Sequence, residues 1–162
     1  MGFSDTLGFK QNNVFNIRGD GIPYLGKTGM KNGFSVFSDR IYGIRAVYKD
    51  MIYKTSHGVD TISKIINMYA PPSENNTKKY IDFIVKKTGI GKDSKINGLP
   101  LIRKIIKAIA IFETGYLVTD EEAIVAESMI NDKKKIVFTD DKKINILLLF
   151  FLLAMFAAII LI

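Results

Sequence analysis

The sequence has no cysteine, no tryptophan and a single histidine among 162 residues. Without cysteine there is no disulfide framework, no thiol nucleophile and no thiolate metal site. One histidine, His57, cannot build a histidine-rich metal centre, and nucleophilic triads are nearly excluded with it. No loop ends in the Gly-Lys-Ser/Thr of a phosphate cradle, since Gly19-Asp20-Gly21 lacks that ending. The acidic pair Asp140-Asp141 is too short for a calcium loop and reads as a solvated turn. No cofactor and no metal are expected. Composition also excludes disorder, collagen and coiled coil.

Charge is abundant but unevenly placed. Lys and Arg number 23 against 16 Asp and Glu, a net of +7, and all of them precede Ile144. From Ile146 to Ile162, seventeen residues run without one polar side chain. With Ile144 and Asn145 the run is nineteen residues, which as a helix measures roughly 28 Å, about one hydrocarbon core. It is apolar all round, so it does not read as a surface helix. Lys133, Lys134, Lys135, Lys142 and Lys143 precede it, as in a polybasic stretch at anionic headgroups. Two units are therefore expected: a domain over residues 1–143 and a transmembrane anchor over 144–162, with a lipid bilayer as partner. The lysines are spread along the chain with no nucleic-acid motif, so no nucleic-acid partner is expected.

Within residues 1–143, Val14, Phe15 and Ile17 and later Phe34, Val36 and Phe37 flank a glycine-rich middle, the pattern of short strands in a β-hairpin region. Helices follow. Ser38 or Asp39 caps one that carries Ile41, Ile44, Val47, Tyr48, Met51 and Ile52 and ends at Gly58. Asp60 or Thr61 starts a second, stopped by Pro71-Pro72. Asn76 or Thr77 caps a third, with Tyr80, Ile81, Ile84 and Val85 inward and Gly89 closing it. A fourth opens near Leu99-Pro100 and ends at Gly115. Thr119 and Glu122 form a capping box for a fifth, running to about Ile130, and Ile136–Phe138 reads as a short strand. The class is α+β, mostly helical, with one small sheet.

Five glutamates remain as chemistry-bearing groups. Glu121 and Glu122 belong to a first helical turn, where they favour the helix dipole. Glu127 lies mid-helix and reads as solvated. Glu113 differs, because it ends an apolar helix, Ala108-Ile109-Ala110-Ile111-Phe112-Glu113-Thr114-Gly115. A carboxyl beside Ile111 and Phe112 is partly desolvated, which disfavours its charged form and suits proton donation to a glycosidic oxygen. The bland alternative is a helix-end residue that reaches water. Glycosidases usually need two carboxylates, and no second one is identifiable here. That directs attention to chemistry in which the substrate's own N-acetyl or 6-hydroxyl group replaces it. Pro71-Pro72 stiffens a loop in which Ser73, Asn75 and Asn76 offer turn and cap hydrogen bonds. This is either a plain helix-to-helix turn or the rim of a sugar cleft, with Glu74 and Asn75 as polar contacts.

The strings Asn13-Val14-Phe15-Asn16-Ile17-Arg18-Gly19, Gly33-Phe34-Ser35-Val36-Phe37-Ser38 and Gly43-Ile44-Arg45-Ala46 resemble the hairpin region of lysozyme-like peptidoglycan hydrolases, the glucosaminidases and lytic transglycosylases. Tyr69-Ala70 and Tyr80-Ile81 resemble their two cleft tyrosines. Ile109–Gly115 is similar to the helix end that carries their acid, with Thr114 in place of serine. The order differs, since in that family the glutamate helix precedes the hairpin, and a circular permutation would reconcile it. Over roughly residues 12–127, and most specifically in Ala70-Pro71-Pro72-Ser73-Glu74-Asn75-Asn76-Thr77, the chain also resembles a family of small virion proteins, minor structural proteins of membrane-containing tailless phages.

Together the resemblances imply a lysozyme-like domain in a virion-associated, membrane-anchored peptidoglycan-degrading enzyme of lytic transglycosylase or muramidase-like type, acting in cell-wall penetration. Glu113 is then acid and base, Tyr69 and Tyr80 position the sugar, and Asn16, Arg18 and Arg45 shape the cleft. Peptidoglycan and the capsid proteins are the implied partners. The implied location is the virion's internal membrane, and the host membrane during assembly. The alternative is a non-catalytic minor virion protein that links capsid and internal membrane.

Overall fold

A computed structural model describes residues 5–73 and 76–130. In chain order these form α1 (Leu7–Lys10), β1 (Lys27–Lys31), β2 (Phe34–Phe37), α2 (Arg40–Ser56), α3 (Ile62–Tyr69), α4 (Thr77–Thr88), α5 (Leu99–Thr114) and α6 (Asp120–Ser128).

Local chemistry explains most of the boundaries. The Asp39 carboxylate accepts from the Ile41 amide at 2.8 Å and starts α2. Thr61 and Asn76 do the same for α3 and α4, accepting from Lys64 and Lys79. α5 begins with Pro100 in its first turn, where a missing N–H costs nothing. It ends at Gly115, whose φ of +75° is the left-handed closing conformation. Thr119 and Glu122 form the reciprocal capping box of α6. β1 and β2 pair antiparallel across Asn32-Gly33, both at positive φ (+53° and +79°), as a tight primed hairpin turn requires.

α2 is the central element. Its residues from Tyr42 through Tyr48 are all buried, and it packs against α5, α6 and β2. α3, α4 and α5 lie side by side, burying Ile62, Ile65 and Ile66, then Tyr80 and Ile84, then Ile102, Ile105, Ile106 and Ile109. Gly43 is required where α2 crosses the chain at Asn12, because a Cβ there would collide with the Asn12 carbonyl.

Three expectations need correction. First, the anchored lysozyme-like fold does not stand. The described residues hold six helices and one two-stranded hairpin, and no helix among them is long and apolar enough to cross a membrane. α5, the apolar helix that carries Glu113, is a core helix: Ile102, Ile105, Ile106 and Ile109 are buried, and Lys104 faces out. The expected span over 144–162, its lysine flank and the strand at 136–138 lie outside the described residues. Second, Val14–Ile17 is not a strand. Its shape comes from the wholly buried Asn13, whose side-chain amide donates to the Ile17 and Ser35 carbonyls at 2.9 Å while its oxygen accepts from the Ile17 amide. Third, Glu127 is not solvated. It is held by Arg103 at 2.5 Å and by Tyr48 at 2.6 Å.

Candidate functional site

The end of α5 is fixed to the Asn13 loop. The Thr114 hydroxyl reaches the Val14 carbonyl (3.2 Å) and the Ala110 carbonyl (3.0 Å), so the last turn of the helix is tied to a segment one hundred residues earlier. Asn16, two residues past Val14, adopts a left-handed φ of +50°, which asparagine tolerates better than most residues. That conformation brings its side-chain amide to Glu113, to which it donates at 2.9 Å. From the other side the Tyr80 hydroxyl donates to the second oxygen of Glu113 at 2.7 Å. The Tyr80 ring is stacked on Phe112, with centroids 3.8 Å apart and planes inclined by 14°. Each carboxylate oxygen thus takes one neutral donor and keeps a further lone-pair direction. Among the described residues no cation lies within ion-pair distance of Glu113.

Glu113 is half-buried in the wall of a cavity of about 500 Å³. The same wall includes Asn16, Arg18, Tyr69 and Tyr80, so the fold gathers four further residues singled out from the sequence around the glutamate. Lys79 and Asn76 from the start of α4 join them. Among the described residues Glu113 is the one acidic residue on this wall, against two cations, Arg18 and Lys79. The Arg18 guanidinium lies 5.8 Å from the centroid of Phe34, also in the wall.

The two tyrosines have different partners. Tyr80 spends its proton on Glu113, whereas the Tyr69 hydroxyl donates to Asp50 in α2. Burial, reinforced by Asp50, pushes the Tyr69 hydroxyl well above the ordinary phenol range. Burial, reinforced by the adjacent Glu113, does the same to Tyr80. Both phenols therefore remain protonated donors through neutral and mildly alkaline pH. Tyr24 is likewise pushed up to about 12, chiefly by burial and then by Asp50.

Arg45 is not part of this wall. It is buried beneath α6, and its Nε donates to the Met129 carbonyl at 2.7 Å, closing the C-terminal end of that helix. Glu74 and Asn75 lie outside the described residues. His57 closes α2 and stacks on the exposed Tyr53 ring at 4.1 Å, away from the cavity. Sequence reasoning missed Asp50, Lys79 and Asn76 as neighbours of the site. The one trace of Asp50 is its (i, i+4) spacing to Lys54, a pattern shared with ordinary surface pairs.

No family model matches the chain. The chain is 33% identical over 114 residues to Protein P5 of Pseudoalteromonas phage PM2, an alignment that covers 67% of this chain and 71% of the phage protein. The resemblance to small phage virion proteins is borne out at that level, and the one to lysozyme-like hydrolases gains no support.

Proposed function

This chain belongs to the family of Protein P5 of phage PM2, and on that footing we propose that it is a virion protein whose Glu113 cavity cleaves the glycan strands of peptidoglycan during cell-wall penetration. The observation that carries the reading is the setting of Glu113: a half-buried carboxyl on the wall of a cavity of about 500 Å³, gripped by two neutral donors and, among the described residues, by no cation.

The chemistry follows from what stands around that carboxyl. A glycosidic oxygen needs a proton as its bond to the anomeric carbon breaks, and Glu113 is placed to supply it. Paired-carboxylate mechanisms need a second acid about 5 to 9.5 Å away. Asp50, behind the wall residue Tyr69, is already taken by Tyr69 and by Lys54 at 2.5 Å. A substrate hydroxyl then fills the second role. The 6-hydroxyl of the muramic acid unit attacks its own anomeric carbon, and Glu113, now a carboxylate, takes the proton that this hydroxyl loses. One group thus acts as acid and then as base, and the product carries an anhydro ring. The exposed Phe112, backed by the buried Tyr80 ring, offers an apolar face to a sugar ring. Arg18 and Lys79 suit the acidic groups of a cell-wall polymer.

The test is to incubate the purified full chain with peptidoglycan and to analyse the soluble products by mass spectrometry. Anhydromuropeptides from wild type, and none from Glu113→Gln, are expected. A folded wild-type protein that releases nothing overturns the enzymatic reading and leaves a non-catalytic minor virion protein.

A further inference from the structure

Asp50, in α2, is not among the residues of the cavity wall but accepts from Tyr69, which is. Lys54, one turn further along the helix, holds both Asp50 oxygens at 2.5 Å. The same ammonium sits 4.7 Å from the centroid of the Tyr69 ring. Two groups therefore lock one phenol through three interactions: a carboxylate takes its proton, a cation covers its ring face, and the cation fixes the carboxylate.

A phenol has one proton to give and two lone pairs to offer. Because Asp50 takes the proton, the Tyr69 oxygen has only acceptor directions left to offer, made electron-rich by the carboxylate beside it. Tyr80 is the converse: its proton points at Glu113. We propose that Asp50 is a positioning residue of the glycan site, holding Tyr69 as an oriented acceptor for a sugar hydroxyl and as an electron-rich oxygen beside the positive charge that develops at the anomeric carbon. This rests on the glycan-cleaving reading of the cavity. Packing alone does not explain the arrangement, since a phenylalanine at position 69 would fill the same space, and a Lys–Asp pair at (i, i+4) satisfies itself at the surface, as Lys78 and Asp82 do.

The experiment compares full-length wild type, Asp50→Leu, Asp50→Asn, Tyr69→Phe and the Asp50→Leu/Tyr69→Phe double variant for kcat and KM on peptidoglycan. Folding is checked by thermal melting. A parallel titration with the N-acetylglucosamine tetramer is followed on the ¹³Cζ signal of labelled tyrosine. Expected are a fall in kcat of about 10–100-fold for Asp50→Leu and for Tyr69→Phe alike, little change in KM, and no further loss in the double variant. Asp50→Asn, which keeps an acceptor oxygen, recovers part of the loss. A folded Asp50→Leu with wild-type kcat, or additive losses in the double variant, overturns the proposal. Should Asp50→Leu fail to fold, Asp50→Asn decides: a kcat between those of wild type and Tyr69→Phe upholds the proposal, and a wild-type kcat overturns it. A wild type that releases no product sinks the glycan-cleaving reading, and the ¹³C titration then judges Asp50 separately. A Tyr69 signal whose movement with the tetramer in wild type is reduced in Asp50→Asn upholds the positioning role, and one that is unmoved in wild type, or moves alike in both, ends it.

Discussion

Among the described residues, two glutamates accept a hydrogen bond from a buried tyrosine, and they have opposite surroundings. Glu127 in α6 takes the Tyr48 hydroxyl at 2.6 Å and is matched by the Arg103 guanidinium through two bonds of 2.7 and 2.5 Å. Glu113 in α5 takes the Tyr80 hydroxyl at 2.7 Å and the Asn16 amide at 2.9 Å, with no ion pair among the described residues. The first is a closed device. Its charge is neutralised and its donors hold three helices together, so it has nothing left to offer a ligand. The second has no counter-charge among the described residues and opens on a cavity. A tyrosine at hydrogen-bond distance therefore says nothing about role by itself. The counter-charge decides it, because a bidentate guanidinium uses the lone pairs that chemistry would need.

The sharpest way to separate the two is to neutralise each. Glu113→Gln keeps shape and one acceptor oxygen and is expected to cut peptidoglycan turnover by about 10²–10⁴-fold, with a smaller effect on melting temperature than Glu127→Gln. An unchanged turnover would place the two glutamates in one class. Glu127→Gln is expected to do the reverse and cost about 2–3 kcal/mol of stability while leaving turnover intact. That cost sits below the range for a fully buried pair because Arg103 keeps 31% of its side chain exposed. Denaturant unfolding measures it.

The same pair predicts a pH dependence. Burial pushes the Glu127 carboxyl up, but hydrogen bonds from Arg103 and Tyr48 outweigh it and leave the group below the usual carboxylate range. A lowered folded value means that its stabilisation is complete above the unfolded carboxyl pKa, about 4.3, and disappears as pH falls through the folded value. Wild type should therefore lose stability on acidification below about pH 5 more steeply than Glu127→Gln.

Gly8→Ala tests how closely the Glu113 side is assembled. A Cβ on Gly8 would meet the Asn13 carbonyl and the Asn16 side-chain oxygen at 2.7 Å and Thr114 at 2.9 Å. Overpacking there is expected to cost about 1–3 kcal/mol and to lower turnover, because it displaces the amide that holds Glu113. Melting and product release report the two effects. The smallest effect is expected at Lys78–Asp82, whose side chains are 88% and 61% exposed. Lys78→Ala should leave both stability and turnover within error.

Much of this was legible in local sequence. The caps at Asp39, Thr61, Asn76 and Thr119 and the closing glycines at 89 and 115 act within four residues, as do the apolar stripes of α3, α4 and α5. Glu113 stood out because a lone acid ended the most apolar of these helices. α1 was not legible, since four residues carry no stripe. The loop at Asn13–Ile17 imitates a strand in its apolar pattern while a side chain supplies the hydrogen bonds that a neighbouring strand would. Arg45 read as a cleft residue because its string resembles one. In space it closes α6 at Met129, 84 residues away.

The amino-acid sequence alone determined where helices start and stop and which acid ends an apolar one, because those outcomes rest on forces that act over one turn of chain. Only the tertiary structure decided which carboxylates are neutralised. Asn16 reaches Glu113 across 97 residues, Tyr80 across 33, and Tyr48 reaches Glu127 across 79. Such partners meet only when the packed core brings their helices together, and it is this meeting that makes one glutamate a brace and leaves the other facing a cavity.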